Sequence, residues 1–276
     1  MTETAAAPTL PLVVSPDMLS EHLGDPRVVI VDLTLQQEPY CHVHIPGAVW
    51  LDFRRLLNGH PPTPAAAPPE GTIVSLLSGL GIDASAHVVA YDDEGGGWAS
   101  RLLWTLALIG HRHYSLLDGG LHAWLAGGHS IASTAAHPAV RHYKPGAINR
   151  SVFTDAETLM ASPERFTIWD ARSPAEYRGE WGQARRKGHM PGAINLDWRH
   201  LFDPQRHYRL KPRATLQALL SSHALTPERT IVTHCQSHHR SSLAWLVGQH
   251  LGYPALSAYP GAWLEWGNRV DTPIIQ

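Results

Sequence analysis

Only two cysteines occur in the 276-residue chain, and one of them, Cys235, stands in a sequence built to activate a thiol. It lies in Ile231-Val232-Thr233-His234-Cys235-Gln236-Ser237-His238-His239-Arg240-Ser241-Ser242, where an apolar, β-branched run gives way to a polar loop. Leu243, Leu246, Val247 and Leu251 then recur at helical spacing. The pattern is strand, loop, helix, with the thiol where the strand ends. Backbone N–H groups at a helix start lack intrahelical partners and the helix dipole is positive there, so a thiolate is stabilised and its pKa falls. Arg240 adds a permanent charge, and His238 and His239 add more when protonated. The bland alternative is an inert core cysteine. Such a residue needs no cation-bearing polar loop around it.

The elements that position Cys235 emerge from an internal repeat with an interval of roughly 140 residues. His44-Ile45-Pro46-Gly47-Ala48 matches His189-Met190-Pro191-Gly192-Ala193, and Val29–Asp32 matches Thr167–Asp170. Val88–Tyr91 matches Ile231–His234, and Gly119–Trp124 matches Gly261–Trp266, in the same order. In each unit short apolar runs alternate with amphipathic stretches, which predicts an α/β fold with a largely parallel sheet. Strands are predicted at 28–32, 47–51, 87–91 and 114–117, and at 166–170, 193–196, 230–234 and 255–258. Helices are predicted at 15–23, 72–80, 98–110 and 120–126, and at 154–161, 174–178, 213–223, 241–251 and 261–266. The proline-rich segment His60–Gly71 reads as an exposed loop. The expected division is 10–137 for the first domain, 138–152 for a linker and 153–276 for the second domain. The second unit also carries a polar insertion, Gly179–Gly188, that the first lacks. Aligned on the repeat, Asp92 stands where the second unit has Cys235, so one thiol site per chain is expected. The acidic loop after Asp92 is expected to repel anions.

Net charge is only −2, yet residues 1–140 carry a balance of −8 and residues 141–276 one of +6. The cationic half holds Cys235, which suits a small anionic substrate. A nucleic-acid surface is disfavoured, for no basic run or stacking motif accompanies the excess. No apolar run approaches the ~18 residues of a membrane span, and Met1–Leu10 does not read as a secretory signal. Two cysteines make no disulfide framework, so a reducing, cytoplasmic location is expected.

The two-unit layout, the two His-x-Pro-Gly-Ala motifs, Asp170-Ala171-Arg172 and the single cysteine loop resemble the two-domain rhodaneses over about residues 10–275. That family comprises thiosulfate and 3-mercaptopyruvate sulfurtransferases. The loop Cys-Gln-Ser-His-His-Arg is similar to a bacterial subgroup with Cys-Gln-Thr-His-His-Arg. The resemblance implies two tandem rhodanese-like domains, each a parallel sheet flanked by helices, the first without a catalytic cysteine. It implies that Cys235 carries sulfur as a persulfide while the N–H groups of Gln236 to Ser241 point at it. Gln236, Ser237, His238, His239, Arg240 and Arg172 are the expected substrate contacts, with Asp170 and Ser241 supporting the loop. No metal or organic cofactor is expected. The donor would be a small anion such as thiosulfate, and the acceptor cyanide, a small thiol or a protein thiol. A monomer is expected, because fused repeats bury their mutual surface within one chain. Glu176 occupies a position where relatives often carry an arginine, and Arg178 is near but not equivalent. Repulsion by Glu176 then predicts a preference for thiosulfate over 3-mercaptopyruvate, narrowed by Glu176→Arg.

Three rival readings are weaker on the residues. Phosphatases of this fold place five residues between cysteine and arginine, and here there are four. His234, Cys235, His238 and His239 form one candidate metal set and Cys41, His42 and His44 another, but consecutive loop residues seldom converge on one ion. A non-catalytic binding module fits residues 1–137 better than the whole chain. His44 and His189 read as structural, hydrogen-bonded histidines.

Overall fold

The computed structural model describes residues 10–276. The reading of Met1–Leu10 as lacking a signal therefore lies almost wholly outside the described residues. The described residues divide into two compact units, one made of 10–56, 69–148 and 204–209 and the other of 57–68, 149–203 and 210–276.

In the first unit the strands are β1 (Val13–Val14), β2 (Val28–Asp32), β3 (Val49–Trp50), β4 (His87–Tyr91) and β5 (Tyr114–Leu117). They form one parallel sheet in the order β1-β5-β4-β2-β3. Its helices are α1 (Pro16–Ser20), α2 (Gln37–His42), α3 (Glu70–Gly79), α4 (Gly97–Leu108) and α5 (Gly120–Ala126). In the second half the strands are β6 (Thr167–Asp170), β7 (Ile194–Asn195), β8 (Phe202–Asp203), β9 (Arg209–Leu210), β10 (Ile231–His234) and β11 (Leu256–Ala258). The sheet order β11-β10-β6-β7 repeats β5-β4-β2-β3 strand for strand. The partner of β1 shrinks here to a single bridge, Phe153 on Ala258. The helices are α6 (Ala156–Ala161), α7 (Pro174–Tyr177), α8 (Arg213–Ser222), α9 (Arg240–Leu251) and α10 (Ala262–Trp266). The expected two tandem α/β domains with parallel sheets are what the chain forms.

Central strands β4 and β10 are buried along their whole length, as sequences apolar on both faces require. Behind them α4 and α9 are themselves enclosed, Gly97–Ala107 and Ser241–Gly248 being buried. That is why Cys235, between β10 and α9, lies in the interior rather than on a surface turn.

Several expectations are corrected. Helix α2, which carries Cys41, was not predicted, because a six-residue helix containing Pro39 offers no apolar period to read. Within the proline-rich stretch Ala65 and Pro68 are buried. Helix α3 opens at Glu70, directly after the prolines, where Pro69 sits at the N-cap with its ring-locked φ of −53° and an extended ψ of 147°. Of the expected linker 138–152, residues 138–148 lie along the first unit, where Arg141 N donates to Ser78 O and Gly146 N to Ile109 O at 3.0–3.1 Å and Tyr143 is buried.

Candidate active site

Strand register brings the site together. His234 pairs with Asp170 at the carboxyl ends of β10 and β6, and Cys235 is the next residue. The Cys235 side chain is completely buried. Its carbonyl accepts from Trp263 N at 2.9 Å, and the Gln236 carbonyl accepts from Leu264 N at 2.9 Å, so α10 clamps the first half of the loop. Thr233 Oγ1 donates to Ser241 O at 3.0 Å and clamps the second half. Burial pushes the Cys235 thiol up, but the Arg240 charge, the Ser241 hydroxyl and the N–H groups of Ser241 and Ser237 outweigh it. The thiol ends below its ordinary pKa. The Ser241 hydroxyl lies 3.4 Å from Cys235 Sγ.

Arg240, whose side chain is 18% exposed, forms a two-pronged pair with buried Glu176 at 2.6 and 2.9 Å. Glu176 also closes the capping box of α7 by accepting from Ser173 N, at 3.1 Å, while Ser173 caps Glu176 N. Burial pushes Glu176 up, but the Arg240 and Ser173 hydrogen bonds bring it below the usual carboxylate range. Glu176 is thus the partner that fixes Arg240. The expectation that it faces the donor as a repelling charge is replaced, and Glu176→Arg would set two guanidinium groups against each other.

Asp170 and Arg172 are both fully buried. Arg172 donates to Asp170 from Nε and Nη2, the latter at 2.6 Å, gives a further bond to Gly188 O at 2.8 Å, and lies 4.2 Å from the Trp263 ring centroid. Expected among the substrate contacts, Arg172 instead supports the loop from below through Trp263. Burial raises the Asp170 carboxyl, but the charge of His234 when it is protonated, and the Arg172 guanidinium with its hydrogen bonds, pull it below its ordinary value. Burial dominates at His234, whose pKa falls to about 4 although Nε2 lies 3.5 Å from Asp170. With Arg172 already matching the carboxylate, His234 stays neutral.

An acid-stability test follows from His234. Its folded pKa lies below the unfolded ~6.5, so the unfolded chain binds more protons between those values and stability is lost as pH falls from 6.5 towards 4. The loss should reach roughly 3 kcal/mol, measured by urea unfolding across that range, and should shrink in His234→Asn. An unchanged slope in the variant would assign acid sensitivity elsewhere. Asp32, the repeat counterpart of Asp170, has Thr34 in place of an arginine and is pushed by burial up to about 6. Its effect has the opposite sign in the same window.

The loop side chains that are not fully buried are Ser237, His239 and Arg240. His239 packs edge-on against Trp198 at 5.2 Å. Gln236 is buried, and neither its Oε1 nor its Nε2 finds a hydrogen-bond partner among the described residues. His238, expected to touch substrate, is buried in a left-handed turn with φ 55° and reaches Ser241 instead. His44 and His189 share one geometry: each Nδ1 meets the carbonyl of a tyrosine, Tyr40 at 2.6 Å and Tyr177 at 2.9 Å, and each ring stacks on it.

In the first unit the same loop is filled from within. The buried Asp92 carboxylate accepts from Glu94 N, Gly96 N and Ala99 N at 2.8–3.1 Å. Asp92 itself faces its own loop amides and burial pushes its carboxyl up, while Asp93 and Glu94 of the acidic loop are only half-buried. Sequence reading missed Trp263 as a clamp and Glu176 as the Arg240 partner. The repeat of Gly119–Trp124 in Gly261–Trp266 was the signal available for the former. Of the insertion, Arg186 is tied to Thr272 O at 2.8 Å and Trp266 O at 3.1 Å, so it serves the fold, while Arg185 and Lys187 are exposed.

Comparison with known proteins gives the same picture. The model of the rhodanese-like domain matches residues 15–127 and again 153–269. The chain is 40% identical to a thiosulfate sulfurtransferase of Pseudomonas aeruginosa, covering 96% of this chain and 97% of that one. It is 42% identical to one of Azotobacter vinelandii over the same shares. A 3-mercaptopyruvate sulfurtransferase of Escherichia coli K12 is 30% identical, covering 95% and 96%. Among solved structures, the anaerobic ergothioneine biosynthesis enzyme from Chlorobium limicola, with trimethyl histidine, superposes with a TM-score of 0.84 at 19% identity. That match covers 95% of this chain and 69% of that one, and it bears on fold alone. With its domain model matched twice and relatives aligned end to end, this chain belongs to the two-domain rhodanese family.

Proposed function

We propose that the chain is a sulfurtransferase that moves sulfane sulfur from thiosulfate, or a similar small anion, to a thiophilic acceptor through a persulfide on Cys235. The observation that carries this reading is the buried Cys235 thiol at the junction of β10 and α9, 3.4 Å from Ser241 Oγ, where the Arg240 charge and loop amides favour its ionised form. The Cys235 thiolate attacks the outer sulfur of the donor and sulfite leaves, as in thiol–disulfide exchange. The resulting persulfide is anionic, and the amides that served the thiolate serve it too. At the matching place in the first unit three such N–H groups converge on the Asp92 carboxyl, which supports a cradle of donors at this point of the fold. The buried Gln236 amide, which finds no hydrogen-bond partner among the described residues, supports a contact with the transferred sulfur or the donor's oxygens. Cyanide, a small thiol or a protein thiol then removes the outer sulfur.

No helix among the described residues is long and apolar enough to cross a membrane. Two free cysteines fit a reducing cytoplasm.

The competing donor is 3-mercaptopyruvate, which a 30% identical relative is named for. Thiosulfate is compact and needs charge and donors only near the sulfur. Mercaptopyruvate has a carboxylate and a ketone that need a second anchor, and Arg240, the cation closest in sequence, is already matched by Glu176. With one shared acceptor, kcat/KM for thiosulfate should exceed that for 3-mercaptopyruvate by about tenfold or more. A preference for mercaptopyruvate would overturn the donor assignment and leave the thiol chemistry intact.

A further inference from the structure

Behind Cys235 lies a chain of three buried hydrogen-bonding groups whose protons can be counted. His238, Ser241 and Ser242 are all fully buried. Ser241 Oγ lies 3.4 Å from Cys235 Sγ and 2.9 Å from His238 Nδ1. On the other side of the imidazole, Ser242 Oγ lies 3.4 Å from His238 Nε2 and donates its hydrogen to the His238 carbonyl at 2.6 Å. A hydroxyl has one hydrogen to give. Ser242 has therefore given its own, and can meet Nε2 only by accepting, so Nε2 carries a proton.

Two states remain for the other nitrogen. If Nδ1 is bare, Ser241 donates to it and the Ser241 oxygen can only accept from the thiol S–H. If Nδ1 is protonated, it donates to Ser241, whose hydrogen then points at a thiolate. The two states contain the same protons.

We propose that His238 is the base that receives the Cys235 proton, with Ser241 as the relay. This rests on the reading of Cys235 as the sulfur carrier and deepens it. In the step, the S–H bond breaks and sulfur keeps the electron pair. Ser241 Oγ takes that proton and passes its own to His238 Nδ1. The products are a thiolate and an imidazolium, with no redox change. When an acceptor later attacks the persulfide, Cys235 leaves as a thiolate and finds Ser241 already oriented as donor. The left-handed turn at His238 is what folds the imidazole back over Ser241. Around the relay, Arg240 acts on Cys235 through its charge and is held by Glu176, while Asp170, held by Arg172, lies beside neutral His234.

The test is the pH profile of Cys235 alkylation by iodoacetamide, read by mass, in wild type, Ser241→Ala, Ser241→Thr and His238→Gln. Loss of the relay should move the midpoint up by about one pH unit in Ser241→Ala and His238→Gln, lowering sulfur transfer roughly tenfold at neutral pH. Both variants should recover wild-type rates near pH 9.5, where hydroxide removes the proton, and Ser241→Thr should stay near wild type. A rate reduced equally at every pH with an unmoved midpoint would overturn the relay. Nitrogen NMR of His238 in the wild type gives a second readout that needs no variant. At pH 8 the imidazole should be doubly protonated and should lose a proton once Cys235 is alkylated, whereas a neutral imidazole beside a free thiolate contradicts the proposal. If wild-type protein takes no sulfur from thiosulfate at any pH, the underlying function fails instead, and the two failures are distinct.

Discussion

Cys235→Ser is expected to abolish sulfur transfer, lowering kcat/KM by about 10³-fold or more, which is about 4 kcal/mol or more in the barrier. Serine fills the same buried space, so the loop, its clamps from Trp263 and Thr233 and the Arg240–Glu176 pair remain. What disappears is a nucleophile that is ionised near neutral pH. Cys41→Ser should retain most of the activity. Cys41 sits exposed on α2, without the cradle of amides that surrounds Cys235. Comparable losses in the two variants would contradict a single-thiol mechanism.

Arg240→Ala carries the second large effect, and it acts in two ways. Of the influences that lower the Cys235 pKa, the Arg240 charge is the largest, and only burial opposes it more strongly. Without the guanidinium, burial should prevail and the thiol should titrate at or above the ~8.5 of a free cysteine. Transfer at neutral pH should then fall roughly 10- to 100-fold, as one to two pKa units imply. Arg240→Ala also strands Glu176, which is buried and keeps Ser173 as its hydrogen-bond partner. Breaking a buried pair from one side costs about 3–5 kcal/mol, so the melting temperature should drop visibly. Adding Glu176→Gln should restore much of that stability, because glutamine can still close the capping box without an unpaired charge. It should not restore activity. Alkylation rates against pH and thermal melts of the single and double variants separate the two effects. Equal recovery of both properties would mean that Arg240 serves only the fold.

Much of this was legible in the residues because the fold is a duplication. The repeated His-x-Pro-Gly-Ala motifs and the matched runs Val29–Asp32 and Thr167–Asp170 mark both sheets in the sequence. Cys235 was legible because a polar loop follows an apolar strand and precedes a helical period. Side-chain partners were not. Glu176 and Arg240 are 64 positions apart, and no spacing rule connects them. The Glu176 charge therefore read as repulsion when it is compensation. Arg172 read as a substrate contact because its cation was visible in the sequence and its burial under Trp263 was not. His238 read likewise, since a left-handed turn at a histidine carries no sequence signature of the kind glycine gives. The amides that meet Asp92 were hidden for the same reason, since only the built turn brings them together.

The central claim is that Cys235 alone carries the sulfur, and intact mass spectrometry under non-reducing conditions tests it most directly. After incubation with thiosulfate and removal of excess donor, the wild-type chain should be heavier by one sulfur atom. Peptide mapping should place that atom on Cys235, and cyanide should remove it. Cys235→Ser should show no gain. A wild-type chain that turns over thiosulfate without ever gaining sulfur, or that gains it equally in Cys235→Ser, would contradict the persulfide mechanism.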